Sequence, residues 1–295
     1  MHKENNKIIF GIFYMLVASA FIGGTAVIAK ILGNDYFGES LTPFQISHSR
    51  FLYGFIFVLI FSLFYKIKIL SPNPKLHVAR TSLGLIGVTI LFGSSSVIPL
   101  NDAVAINFSN PIFAMIFSLI ILKEKFFSYR WIAMIITFIG ALILIRPDFY
   151  NLNVDPVALI SILGAICLGL EAIFIKLLTK YEKNTQILLI NNFIGLILSS
   201  LIVIFFWQTP TFLQLLFCIL IGFLMVCAQI CFLMALRSNE LNFVIPFFYS
   251  TLIFVLLYDY LIFRELPDFL SFSGSLLIMI GGIYLFLKET NKDIS

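Results

Sequence analysis

The chain has 295 residues, of which 60% are hydrophobic and 12% charged, with a mean hydropathy of +1.04 and a formal charge of +4. Soluble domains average about 45–50% apolar and about 25% charged residues, so this composition excludes a water-soluble globule and requires a chain that crosses a bilayer many times. Only one of the three histidines, His48, falls in an apolar window, and no HExxH, CxxC, GxSxG or GxxxxGK pattern is present, which excludes an enzyme, metal or cofactor centre built on those groups.

Apolar windows of about 20 residues match the length needed to cross hydrocarbon. They predict ten helices, at 8–29, 43–64, 81–99, 102–122, 130–146, 156–177, 186–206, 212–236, 241–263 and 268–287. The expected fold class is therefore all-α and integral to the membrane, with membrane lipids around it and room for a homodimer. The first window follows Lys3 and Lys7 and contains Ala18-Ser19-Ala20, a pattern shared with cleavable signal peptides. Its apolar run continues to Leu32, so it is read as a retained first span. The longest polar segments, Lys66 to Arg80 and Arg146 to Asp155, are loop-sized and leave no room for a soluble domain. Cys167, Cys218, Cys227 and Cys231 fall within spans, where thiols act as small apolar packing groups.

The chain then repeats itself. Gln45, Ile46, Arg50 and Gly54 recur 141 residues later as Gln186, Ile187, Asn191 and Gly195; Glu124, Ile139, Gly140 and Leu144 recur as Glu265, Ile280, Gly281 and Leu285. AVIAKIL, Ala26 to Leu32, matches AIFIKLL, Ala172 to Leu178, at an offset of 146, so the first inter-helix loop is longer in the first copy. The expected units are residues 1–146 and 147–295, each with five helices. An odd number of spans per copy turns the second copy upside down, and many transporters build opposed gates around a midplane site in this way.

Lysine and arginine set the orientation. With the N-terminus cytoplasmic, fifteen of them fall on inside segments, Lys123, Lys125 and Arg130 among them, and only Lys30, Arg146 and Arg264 outside. Both termini are therefore expected in the cytoplasm. The positive charge reflects topology, and no nucleic-acid partner follows from it. Thirteen lysines against six arginines, with abundant Ile, Phe and Asn, fit an AT-rich bacterial genome and hence a bacterial inner membrane.

Ionisable groups inside spans point to function, because each costs about 2.5–3.5 kcal/mol at a helix centre and must face the bundle interior or water. Arg50 lies seven residues into the second helix, roughly 10 Å deep at about 1.5 Å per residue. Its fixed guanidinium suits a carboxylate or phosphate; snorkelling or tying down a loop is the structural alternative. Glu171, on the sixth helix, has the uncharged Thr25 as its repeat mate. It suits proton coupling or pairing with a cationic substrate, against the alternative of a packing salt bridge. Lys30 and Lys176 are expected to snorkel, and His48 need not share the site of Arg50.

Neutral polar groups add a softer layer that either lines a wet cavity or glues helices together. These are Ser94, Ser95, Ser96, Asn107, Asn110, Asn191, Asn192, Gln229 and Tyr249. Substrate contacts are expected from Arg50, Glu171, Ser95, Asn107, Asn110, Gln229 and Tyr249, with Phe247 and Phe248 nearby. Pro111 and Pro246 fall in the fourth span of each copy, where proline loosens the helix ladder, and both are hinge candidates. Glycines at 23, 24, 84, 87, 164 and 222 predict close packing of the first, third, sixth and eighth helices.

Two further stretches carry a family likeness. NPIFAMIFSLIILKEKF, Asn110 to Phe126, runs into WIAMIITFIGALIL, and the second copy offers FREL followed by GGIYL; Arg50 sits in SRFL. On these motifs the chain resembles the EamA-type ten-helix members of the drug/metabolite transporter superfamily over essentially its whole length. The resemblance implies a central cavity formed by helices 1, 3, 4, 6, 8 and 9, cytoplasmic termini, and ATP-independent transport of a small metabolite. An amino acid or amino-acid derivative is the expected substrate, carried by alternating access. S-adenosylmethionine uptake is the runner-up, and a lipid-handling flippase is the alternative of another class.

Overall fold

The structure is a computed structural model that describes residues 2–67, 69–70, 72–95, 98, 100–147, 156–264 and 266–291. It contains α1 (His2–Leu32), α2 (Pro43–Phe64), α3 (Pro74–Ser95), α4 (Leu100–Asn107), α5 (Asn110–Ile120), α6 (Ser128–Ile145), α7 (Pro156–Tyr181), α8 (Asn184–Val203), α9 (Phe212–Ser238), α10 (Leu241–Val244), α11 (Ser250–Phe263) and α12 (Phe269–Asn291). A 3-10 turn, Ile245–Tyr249, joins α10 to α11. No strand occurs among the described residues. Among the described residues nine segments are long and apolar enough to cross a membrane, with α4 plus α5 forming one and α10 to α11 another. Helix α3, whose first turns carry Lys75, His77 and Arg80, supplies the tenth.

Helix α3 corrects the expected boundary. The third span was expected at 81–99, but the helix starts at Pro74, since proline suits the first helical position, where its missing N–H is not needed. Arg80 therefore belongs to a span and not to the preceding loop. The fourth span is not one helix over 102–122 but two, because it breaks before Asn110-Pro111.

Packing follows a two-fold exchange of the repeats. Helix α1 packs on α9 as α3 packs on α7, and α1 on α11 as α5 on α7; α2 with α8 and α6 with α12 are their own images. A Cβ added to Gly54 would lie 2.8 Å from Asn192 Oδ1, and one on its mate Gly195 would strike the ring of Phe51, which is the mate of Asn192. Likewise a Cβ added to Gly140 would come within 2.7 Å of the carbonyl of Gly274, and one on its mate Gly281 would meet that of Ala133, the mate of Gly274. The duplicated small residues thus bring the halves into backbone contact, and van der Waals packing holds helices together where lipid offers no hydrophobic drive. The predicted close approach of the third and sixth helices is made by Gly87 and Gly164, whose backbones meet across α3 and α7.

Inversion is visible in Gln45 and Gln186. Gln45 clasps the backbone of Gln208, accepting from its N–H at 3.0 Å and donating to its carbonyl at 2.6 Å, in the loop between α8 and α9. Gln186 clasps Leu70 at 2.9 and 3.1 Å, in the loop between α2 and α3 at the opposite end of the bundle. Two ladder-like amide clasps hold each copy's loop with the other copy's helix.

Lys30 and Lys176, expected to snorkel, both have partners within the protein. Lys30 Nζ pairs with Asp259 at 3.1 Å and lies over the Phe263 ring. Lys176 Nζ donates to the carbonyls of Leu236 and Asn239 at the C-terminus of α9, where the helix dipole favours a cation. At this same end Arg130 reaches Glu240, Glu289 and Asn242, while the Glu124 carboxylate accepts from the N–H groups of Leu241 and Asn242 at 2.7 and 2.9 Å and caps α10.

Glu182, between α7 and α8, accepts from the Asn73 N–H at 2.8 Å and from Gln186 at 2.6 Å, and contacts His77 Nε2 at 2.8 Å. Burial alone would raise its pKa, but these hydrogen bonds outweigh burial and hold the carboxyl below its ordinary value. A depressed folded pKa contributes stability that is present above the unfolded value of about 4.3 and lost as pH falls through the folded one. Glu182→Gln should therefore lower stability at pH 7 and flatten the acid limb of a thermal melt series run from pH 7 to pH 3.

Candidate functional site

Both broken spans put their breaks at the same place. Pro111 supplies no N–H, so the carbonyls before it need other donors. The Ser109 hydroxyl donates to the Ile106 carbonyl at 2.6 Å, and Asn110 Nδ2 to that of Asn107 at 2.8 Å. In the second copy Pro246 sits in the 3-10 turn, and the Ser250 hydroxyl donates to the Phe247 carbonyl at 2.7 Å. The two breaks are joined directly: Tyr249 Oη donates to the Phe108 carbonyl at 2.8 Å. Phe108 and Tyr249 are repeat mates, so this bond crosses the pseudo-two-fold axis. Irregular backbone at membrane depth persists where protein buries it or a cavity borders it. Tyr249→Phe leaves that carbonyl without its donor, and thermal unfolding should report a loss of about 1–3 kcal/mol.

Beside the breaks lies a cavity of about 290 Å³, close to the lower limit of about 300 Å³ for small-molecule sites. It is walled by Ile22 on α1, Arg50 and Phe51 on α2, Arg80, Thr81 and Gly84 on α3, Glu171 on α7, Asn191 on α8, and Gln229 and Phe232 on α9. Asn107, Phe108 and Asn110 from one break and Phe248 from the other complete it. The six helices expected to form it all contribute, and α2 and α8 add Arg50 and its mate Asn191.

Charge is concentrated on one wall. Arg80 Nε lies 3.9 Å from Glu171 Oε1, an ion contact too long for a hydrogen bond. Arg80 is 2% exposed, and its Nε and Nη1 have no hydrogen-bond partner. Arg50 Nε is also buried without one, and its guanidinium lies 4.6 Å from the centre of the Phe51 ring. The Glu171 carboxylate rests on the backbone of α3 at Gly84, where a Cβ would come within 2.7 Å of it. Thr81 donates to Asn191 Oδ1 at 3.0 Å and so orients that amide. The result is two guanidinium groups and one carboxylate in a confined, largely apolar space.

Of the residues expected to contact substrate, the structure brings together Arg50, Glu171, Asn107, Asn110 and Gln229. Tyr249 stands apart, fully buried and committed to Phe108. The side chain of Ser95, with Ser96, lies outside the described residues, as does Glu265. Ser94 accepts from Ser161 at 2.6 Å and joins α3 to α7. His48 contacts Ser199 at 3.1 Å beside Trp207, away from the cavity. Phe248 lines the cavity whereas Phe247 packs in the core.

Arg80 is the residue the sequence reading misses. The hydropathy window opens one residue after it, at 81, because Lys75, His77 and Arg80 lower the local average. The available signal was Pro74: a helix counted from there holds Arg80 at its seventh position, on the face of Gly84 and Gly87.

The EamA-like transporter family model matches residues 9–146 and again 156–287. An S-adenosylmethionine uptake transporter of Rickettsia bellii is 26% identical over 257 residues, covering 87% of this chain and 88% of that protein. A riboflavin transporter of Vibrio cholerae is 26% identical over 74% of this chain and 73% of its own length. One chain of known crystal structure aligns with a TM-score of 0.81 at 14% identity, covering 94% of this chain and 96% of that one, and so shares the fold. With a matching inverted-repeat bundle and a cavity beside the two helix breaks, the chain belongs to the EamA-like transporter family, and it is a multi-pass membrane transporter of small metabolites, not an enzyme.

Proposed function

We propose that the chain carries a small polar metabolite bearing a carboxylate, of the amino-acid-derivative class, by alternating access between its two halves. The observation that carries this reading is the set of fixed charges, Arg50, Arg80 and Glu171, on the wall of a cavity where the broken helices meet. A cavity of this size suits one small solute. The name of the Rickettsia bellii relative supports the same class, because S-adenosylmethionine is a methionine derivative with an α-carboxylate. Pro111 and Pro246, at the breaks, are the hinges about which each half rocks. We place the protein in a bacterial inner membrane with both termini cytoplasmic, from the lysine and arginine count.

Glu171 sets either proton coupling or the substrate charge that the site accepts. The decisive experiment is uptake into proteoliposomes of labelled S-adenosylmethionine, riboflavin and a panel of amino acids and their derivatives, with and without a pH gradient. Flux of a carboxylate-bearing solute, saturable and dependent on Arg50, is expected; uptake confined to uncharged solutes would refute the reading. Glu171→Gln should retain exchange but lose gradient-driven accumulation if Glu171 carries the proton, and should weaken exchange itself if it pairs with the substrate. Unchanged exchange, accumulation and preference would make Glu171 a packing carboxylate.

A further inference from the structure

We propose that Arg50 and Arg80 form a seat for a single negative charge, with the Glu171 carboxylate as their counter-charge within the protein, and that Glu171 restricts this seat to one singly charged anionic group of the ligand. The inference rests on the transport reading only for the claim that the cavity takes substrate. Its foundation is a charge count on one wall: two guanidinium groups against one carboxylate leave one positive charge unbalanced. An uncompensated charge in a water-poor site is costly, and removing that cost is worth more than a surface ion pair would be.

Three features make this a seat and not a structural ion pair. Arg80 keeps a distance of 3.9 Å from Glu171 and leaves Nε and Nη1 unbonded although its side chain is 3% exposed. A buried pair that served only stability would close to hydrogen-bond distance, as Arg130 does with Glu289, where Nε to Oε2 is 3.0 Å. Arg50, approaching from α2, also leaves Nε unbonded. Both guanidinium groups interact electrostatically with the same carboxylate. Third, Gly84 gives Glu171 its place: any side chain at residue 84 would occupy the space of the carboxylate. The planar forks of two arginines match the geometry of a ligand carboxylate, which can take the donors that Glu171 leaves free.

The charge count also sets selectivity. With Glu171 ionised, one added negative charge neutralises the wall, two overshoot, and a cation worsens the imbalance. Without the Glu171 charge, two negative charges are needed. The seat therefore discriminates by valence, and a single isosteric substitution should invert the preference.

The test is equilibrium binding to the purified full-length protein in detergent, by calorimetry at pH 7.5, with benzoate, phthalate and benzylamine as probes. These share an aromatic ring that suits the walls of Phe51, Phe108 and Phe248 and differ in charge. The wild-type chain should bind benzoate about tenfold or more tightly than phthalate, the ratio expected for one charge-assisted contact, and should not bind benzylamine. Glu171→Gln should reverse the order of benzoate and phthalate, and Arg80→Gln should abolish both while apo thermal unfolding remains cooperative. Should Arg80→Gln fail to fold, the reversal in Glu171→Gln still decides the matter, since that variant preserves shape. A benzoate-to-phthalate ratio that Glu171→Gln leaves unchanged, or benzylamine binding at the same site, would overturn the proposal. Because no flux is read, the two readings fail separately. Valence inversion without transport of any panel solute would refute the function and keep the seat, and transport with no charge preference in binding would refute the seat alone.

Discussion

Arg130→Ala should destabilise the protein by about 3–5 kcal/mol, the range found when one partner of a buried ion pair is removed. Arg130 is 3% exposed at the start of α6 and holds three segments at once. Its Nε and Nη2 form a fork with Glu289 of α12 at 3.0 and 2.5 Å, and Nη1 reaches Glu240 at 2.5 Å and also Asn242. Tyr129 adds a hydrogen bond to Glu289 at 2.8 Å. Loss of the guanidinium leaves Glu289 nearly buried with only a phenol for company. Arg130→Lys should recover less than half of the stability, because an ammonium cannot bridge both carboxylates in fixed geometry. Thermal unfolding of the two variants in one detergent measures the difference. An Arg130→Ala protein as stable as the parent would show that the cluster is solvated.

Arg50→Ala should lower the transport rate by about 100-fold while shifting the unfolding temperature little. Arg50 makes no hydrogen bond through Nε, and the Glu171 carboxylate that it faces keeps Arg80, so its removal leaves no carboxylate without a cation and bares only the ring face of Phe51. What is lost is a charge-assisted contact with the substrate, worth about 1.5–3 kcal/mol, or roughly one to two orders of magnitude in affinity. Arg50→Lys should restore part of the flux, since it returns the charge without the fork. Initial uptake rates and melting temperatures are to be taken on the same preparations. A parallel fall in both would assign Arg50 to structure.

Much of the architecture was legible from the chain. Composition and window length gave a ten-span bundle, and the recurrence of Gln45 as Gln186 and Gly54 as Gly195 gave two copies of opposite sense. Those residues turn out to make the symmetric contacts that hold the copies together. They were readable because a duplicated contact leaves both members in sequence at one offset. Arg50, Glu171, Asn107, Asn110 and Gln229 were readable because polar groups are rare in apolar windows and conspicuous there.

Arg80 was not readable, since hydropathy averages over a window and cannot see a helix that begins with polar turns. Nor could local pattern distinguish Tyr249, spent on the Phe108 carbonyl, from Phe248, its neighbour on the cavity wall. Partner choice was equally hidden: Lys176 sits five residues from Glu171 yet turns to the end of α9, while Glu171 finds Arg80 across 91 positions of chain. Periodicity and composition act along the chain and determined the solvent, the spans and the duplication. Which charges meet depends on the crossing of α3 with α7 and of α2 with α8, and only the packing of helices distant in sequence decided that.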